Sequence, residues 1–115
     1  MNESKTYLGE FEELVLWTIL AMEEMQQNAY GVTIRQLLEK ETGRSVSYGA
    51  LYTTLDRLER KRYVTSWQGG ATAARGGRAK RFFKVEALGQ EALRDSNAAR
   101  EKIRSLAKLD PAAEH

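Results

Sequence analysis

Residues 45 to 62 read Ser45-Val46-Ser47-Tyr48-Gly49-Ala50-Leu51-Tyr52-Thr53-Thr54-Leu55-Asp56-Arg57-Leu58-Glu59-Arg60-Lys61-Arg62. Leu51, Leu55 and Leu58 recur at i, i+4 and i+7, which lays one narrow apolar stripe along a helix. That stripe predicts the side turned to the core. The same angular count puts Gly49, Ala50, Thr53, Arg57 and Arg60 on the opposite side, with Tyr48 and Tyr52 on the flank between. Small and hydroxyl-bearing residues thus stand near the helix start and arginines near its end. A helix that enters a DNA major groove needs this order: small residues allow close approach, hydroxyls meet base edges, and arginines reach guanines or phosphates. A competing explanation is that cations in a last turn only complement the helix dipole and solvate an exposed face. The neighbouring segments decide between them.

The 115 residues fit one domain with a real core. The absence of cysteine excludes a disulfide framework, a thiolate zinc site and a cysteine nucleophile. The longest apolar run, 14 to 22, is broken at Thr18 and falls far short of the roughly 20 residues a membrane span requires. With no secretory pattern at the start, the protein is expected to be cytoplasmic and without a membrane partner. Net charge is only +2, but its distribution is uneven. Residues 56–84 carry nine Lys/Arg against Asp56 and Glu59, whereas residues 1–55 carry four basic and eight acidic side chains. Basicity gathered in one quarter of a chain is the footprint expected for a polyanion partner.

Upstream, residues 9–26 form a predicted first helix with Glu10, Glu12 and Glu13 in its opening turn. Phe11, Leu14, Val15, Thr18, Met22 and Met25 share one face, while Leu16, Trp17, Ile19 and Leu20 lie elsewhere around the cylinder. A helix apolar nearly all round is buried on more than one side. A partner subunit is expected to cover the second side, so Leu16 and Ile19 are candidate dimer-interface residues. A second helix follows the turn 27–31, runs through Val32, Ile34, Leu37 and Leu38, and ends at Gly43. Ser47 is the expected N-cap of the third helix.

Downstream, 63–68 and 80–85 are β-branched and aromatic with period-2 character and predict two strands. The segment between them has four glycines, no apolar periodicity, and Arg75 and Arg78, as expected for a hairpin with a long basic tip. The order helix, helix, helix, strand, basic loop, strand is the layout of a winged helix-turn-helix. In that layout the third helix reads the major groove and the hairpin tip reaches the backbone or the adjacent minor groove.

A last helix is predicted from Leu88 to Leu109, ahead of Pro111. Leu88, Ala92, Ala99, Ile103 and Leu106 lie along one thin seam interrupted by Ser96. Such a seam suits close packing against a symmetry mate and the first helix. The expected class is therefore mainly α with a small β-hairpin: a winged helix-turn-helix over 1–86, a C-terminal dimerisation helix over 87–110 and a frayed tail over 111–115.

Tyr30-Gly31, the run Val46 to Tyr52, Leu55-Asp56-Arg57-Leu58-Glu59, and Arg78 to Val85 followed by Gly89 together resemble the PadR family of bacterial transcriptional regulators. The resemblance spans about residues 8–95 and is most specific in Ser-x-Gly-x-Leu-Tyr. It implies a homodimeric repressor on a palindromic operator, with Ser47, Gly49, Tyr52, Thr53 and Arg57 facing double-stranded DNA, joined by Arg75, Arg78 and Lys80 of the wing. Tyr48, on the flank of the same helix, completes the candidate set. Members of this short type often respond to a small aromatic or lipophilic effector, for which Trp17 is the candidate pocket residue. Two positions depart from the family pattern. Arg62 stands where a glycine usually turns the chain into the first strand, and Glu86 stands where a threonine often caps the last helix.

An enzyme is not expected. The only histidine is His115, and adjacent acids such as Glu12-Glu13 and Glu23-Glu24 point about 100° apart on a helix, so neither pair can act on one bond. These acids are expected to be solvated, and no cofactor or metal is expected. The remaining alternative is a winged-helix module that binds a protein rather than DNA.

Overall fold

The computed structural model describes residues 8–69 and 80–108. Three helices come first: α1 (Glu10–Glu24), α2 (Gly31–Thr42) and α3 (Tyr48–Arg60). The strands β1 (Val64–Gly69) and β2 (Lys80–Val85) follow, and α4 (Ala87–Ala107) closes the chain. Three of the helix ends have a local cause. The Glu12 carboxylate accepts the Gly9 N–H at 3.0 Å at the start of α1, and the Thr33 hydroxyl accepts the Tyr30 N–H at 3.0 Å at the start of α2. Gly43 ends α2 in the left-handed region at φ +69°, the conformation a Cβ disfavours.

The leucine stripe of α3 does what its spacing predicts: Leu51, Leu55 and Leu58 are fully buried, together with Thr54. They meet Val15, Leu16 and Ile19 of α1, Ile34 and Leu38 of α2, and Val64, Phe83 and Val85 of the hairpin in one core. Burying a leucine contributes roughly 1.5–3 kcal/mol, so the stripe anchors α3 firmly to the core. The strands pair antiparallel from Val64↔Val85 to Gly69↔Lys80. Alternation then sends Val64, Ser66, Arg81, Phe83 and Val85 to the inner face and Thr65, Trp67, Phe82 and Lys84 to the outer one. The Phe83 N–H donates to the Ala29 carbonyl at 2.9 Å, and a single Tyr30↔Phe82 bridge fastens the α1–α2 connection to the free edge of β2.

Arg62 takes φ +64° and makes the turn into β1 that its position requires. Glu86 behaves differently from a threonine cap. It occupies the N-cap of α4 with no side-chain capping bond, and its carboxylate instead accepts the Thr65 hydroxyl at 2.7 Å. Its backbone N–H donates to the Tyr63 carbonyl at 2.8 Å. At Gly89 a Cβ would overlap the same Tyr63 carbonyl oxygen and stand 2.9 Å from Val85 Cγ1, so only glycine lets α4 cross this closely.

The structure departs from the sequence expectations at three places. Leu16 and Ile19 are fully buried within the single chain; α2, α3 and the hairpin cover the second side of α1, which leaves these two residues no surface for a dimer. Glu12 and Glu13 are buried rather than solvated, because each has a cationic partner from a distant segment. Glu12 accepts Lys61 at 3.0 Å and lies 3.9 Å from Arg57. Glu13 receives both terminal nitrogens of Arg100, at 2.7 and 2.6 Å. Finally, Ser96 does not interrupt the packed seam of α4 but belongs to it. Gly89, Leu93 and Ser96 are the buried residues of that helix, and the seam through Leu88, Ile103 and Leu106 runs beside it, exposed. No helix among the described residues is long and apolar enough to cross a membrane.

Candidate nucleic-acid interface

The α2–α3 connection is held from both sides of one residue. Arg35 Nε donates to the Val46 carbonyl at 2.6 Å, and the Glu39 carboxylate accepts the Val46 N–H at 2.7 Å. Both backbone groups of Val46 are thus held by α2 just ahead of α3. Ser47 caps it, its hydroxyl oxygen accepting the Ala50 N–H at 3.1 Å; the hydroxyl proton remains available to an outside acceptor.

The outward face of α3 matches the angular count. Gly49, Ala50, Thr53, Arg57 and Arg60 are all exposed. Among the described residues nothing lies within 4 Å of a Cβ placed on Gly49. The fold itself therefore does not require glycine there, although glycine in a helix costs about 0.5–1 kcal/mol relative to alanine.

The flanking tyrosines are engaged within the chain. Tyr48 lies under the Arg35 guanidinium at 4.5 Å and stacks at 6.3 Å on Tyr52. Tyr52 is half-buried and its phenol end occupies the space a side chain on Gly31 would fill. Its position is that of a clamp between α2 and α3 rather than of a side chain extended outward. The Tyr30-Gly31 pair thus has a packing cause: glycine makes room for the Tyr52 phenol.

Lys80, at the start of β2, is exposed and stands 4.5 Å over the ring of Tyr30. Arg75 and Arg78 lie outside the described residues.

The sequence reading missed a network on the other flank of α3. Arg81 NH1 donates to Asp56 at 3.0 Å, NH2 to Glu59, and Nε to the Ser66 hydroxyl at 3.2 Å. Ser66 donates to Glu59 at 2.8 Å. The Ser66 hydrogen bond, aided by Arg81 and opposed by burial and Asp56, holds the Glu59 carboxyl below its ordinary pKa. Glu12 is shifted the same way: burial raises its pKa, but the Gly9 N–H, Lys61 and Arg57 together more than offset it. The Arg100 hydrogen bonds lower that of Glu13. A signal for Arg81 was present in the sequence, since counting back by twos from Val85 and Phe83 turns it inward.

On the far side of α1, Trp17 is 45% exposed. It lines a groove of about 310 Å³ with Glu10, Glu13, Leu14 and Arg100. Among the described residues no group of three or more His, Cys, Asp or Glu is placed to hold a metal ion.

Three helices, a hairpin packed on the third, and a closing helix define a winged-helix protein. Residues 19–95 match the model of the PadR-like family of transcriptional regulators. The fold is similar to that of a PadR family transcription regulator from Clostridium difficile, at 18% identity and TM-score 0.66 over 85% of this chain and 94% of that one. It is also similar to a PadR-like transcription factor from Bacteroides fragilis, at 21% identity and TM-score 0.70 over 84% and 85%. A third likeness is to a PadR-like regulator from Bacillus cereus, at 19% identity and TM-score 0.62 over 87% and 93%. No curated protein matches the chain by sequence. The chain belongs to the PadR-like family, and is thus a DNA-binding transcription regulator of the winged-helix type rather than a member of an enzyme family.

Proposed function

We propose that the protein is a homodimeric repressor that sets α3 of each subunit into the major groove of a palindromic operator. Ser47, Gly49, Thr53 and Arg57 of α3 meet bases and adjoining phosphates, while Arg75, Arg78 and Lys80 of the hairpin contact the backbone or the adjacent minor groove. Tyr48 and Tyr52 then support α3 from its flank. The observation that carries this reading is the outward face of α3, where an open glycine, a threonine and two arginines stand exposed over a fully buried leucine stripe.

In this reading residues 1–86 form the DNA-binding unit and 87–110 the dimerisation helix, with 111–115 a tail. Leu88, Ala92, Ala99, Ile103 and Leu106 meet the partner subunit, which is supported by the exposure of Ile103 at 68% and Leu106 at 77%. A planar lipophilic effector stacks on Trp17, in the groove between α1 and Arg100. A dimer of this kind reads half-sites about 34–36 Å apart.

The second reading, a module that binds a protein instead of DNA, draws on the same bare stripe at Ile103 and Leu106. Fluorescence anisotropy with labelled DNA from upstream of the protein's own gene, scrambled DNA as control, and several salt concentrations separates the two. Binding that survives physiological salt and strongly favours the upstream DNA supports the regulator; weak, equal binding to both DNAs supports the protein-binding module.

A further inference from the structure

Arg81 belongs to the cationic segment 56–84 that points to a polyanion, yet its guanidinium is turned into the protein. All three of its nitrogens are engaged, with Asp56, Glu59 and Ser66. Its side chain is 33% exposed. Asp56 and Glu59 stand one turn apart on the flank of α3 that faces the hairpin, and Ser66 comes from β1. One planar fork therefore joins β1, β2 and α3 at once. A guanidinium bridging two carboxylates in this way fixes position along the helix as well as rotation about it, which a point-charge ammonium does not. Among the described residues of β2, Arg81 ties the strand's polar end to α3; Phe83 and Val85, nearer the turn into α4, enter the core.

We propose that Arg81 is a positioning residue for DNA binding: by joining the hairpin to Asp56 and Glu59 it sets the angle between wing and α3, and it raises affinity without touching DNA. This rests on the reading of α3 and the hairpin as the DNA surface. The ordinary role of an arginine in a basic wing is a phosphate contact, and the two roles differ in sign at Glu59. If Arg81 contacts phosphate, removing the Glu59 carboxylate strips a negative charge from a cationic surface and tightens binding. If Arg81 is a positioning residue, the same change loosens the wing and weakens binding.

The test is anisotropy of Arg81→Gln, Glu59→Gln and the double variant on the upstream DNA over a range of salt. Arg81→Gln is expected to weaken binding about tenfold with the salt slope unchanged, since a lost phosphate contact lowers that slope by about 1. Glu59→Gln is expected to weaken binding as well, and the double variant to bind no more weakly than Arg81→Gln alone. A slope reduced by about 1 together with tighter binding by Glu59→Gln overturns the proposal. If Arg81→Gln does not fold, the sign of the Glu59→Gln effect decides alone. Failure of the unaltered protein to prefer upstream DNA removes the DNA reading and this proposal together; a preference for it with a tighter Glu59→Gln variant removes this proposal only.

Discussion

Helices α3 and α4 are both amphipathic, but they leave opposite chemistry uncovered. Every leucine of α3 is buried, and its outer side shows glycine, alanine, threonine and arginine. In α4 the buried residues end at Ser96. Beyond it the Arg100–Glu13 pair ties the helix back to α1, while Ile103 and Leu106 stand bare. What a helix leaves open indicates what it is complementary to. A polar, cationic outside suits a polyanion, and an apolar one suits another apolar surface, since exposed hydrophobic stripes gain free energy when removed from water. In the proposed reading one chain thus separates two partners by chemistry: nucleic acid at α3 and a second subunit at α4.

The strongest way to break this comparison is to unseat α4. Gly89→Ala forces a Cβ onto the Tyr63 carbonyl oxygen and is expected to cost about 3 kcal/mol, read from the urea midpoint. Next in size is the apolar stripe itself. Ile103→Asp with Leu106→Asp is expected to convert a dimer to a monomer in sedimentation at micromolar protein, while the core of α1, α2 and α3 keeps its thermal stability. A dimer that persists would move the interface elsewhere.

Acid should weaken the ties Lys61–Glu12, Arg100–Glu13 and Arg81–Glu59, because each ends on a carboxylate. Glu12, Glu13 and Glu59 have pKa values lowered below the ordinary 4.5 by folding. Their stabilisation is therefore present above 4.5 and is lost as the pH falls through the lower folded-state values. Denaturation midpoints across this range should fall with pH, and Glu13→Gln should flatten part of the curve.

The smallest expected effect is Gly49→Ala, which sharpens the comparison through its sign. It should stabilise the protein by about 0.5–1 kcal/mol, because the chain has open space for a Cβ there, while weakening specific DNA binding if α3 approaches the groove as proposed.

The fold was legible from local signals. The leucine spacing gave α3, Gly43 gave an end to α2, period two gave both strands, and the order of elements gave the winged helix. Arg62 was readable too, because a turn that usually needs glycine must take a left-handed residue wherever the glycine is replaced. What escaped was long-range. Helical periodicity shows that Leu16 and Ile19 are apolar but not whether the same chain or another covers them. Glu12 and Glu13 looked solvated because their partners Lys61 and Arg100 lie 49 and 87 residues away. Tyr52 read as a flank residue because its seat, Gly31, is on another helix. Of the α3 candidates, those whose role depends on facing outward were legible from the helix count. The clamps and ties that fix α3 depended on tertiary contacts the count does not contain.

In the proposed mode of binding α3 reads sequence and the wing supplies affinity. The measurement that tests it most directly is anisotropy of Thr53→Ala and Arg78→Ala on a panel of operator variants. Thr53→Ala is expected to change the order of preference among sequences, by about 1–3 kcal/mol at one position. Arg78→Ala is expected to weaken every sequence alike and to lower the salt slope by about 1. Equal loss on all sequences for both variants would contradict this mode of binding.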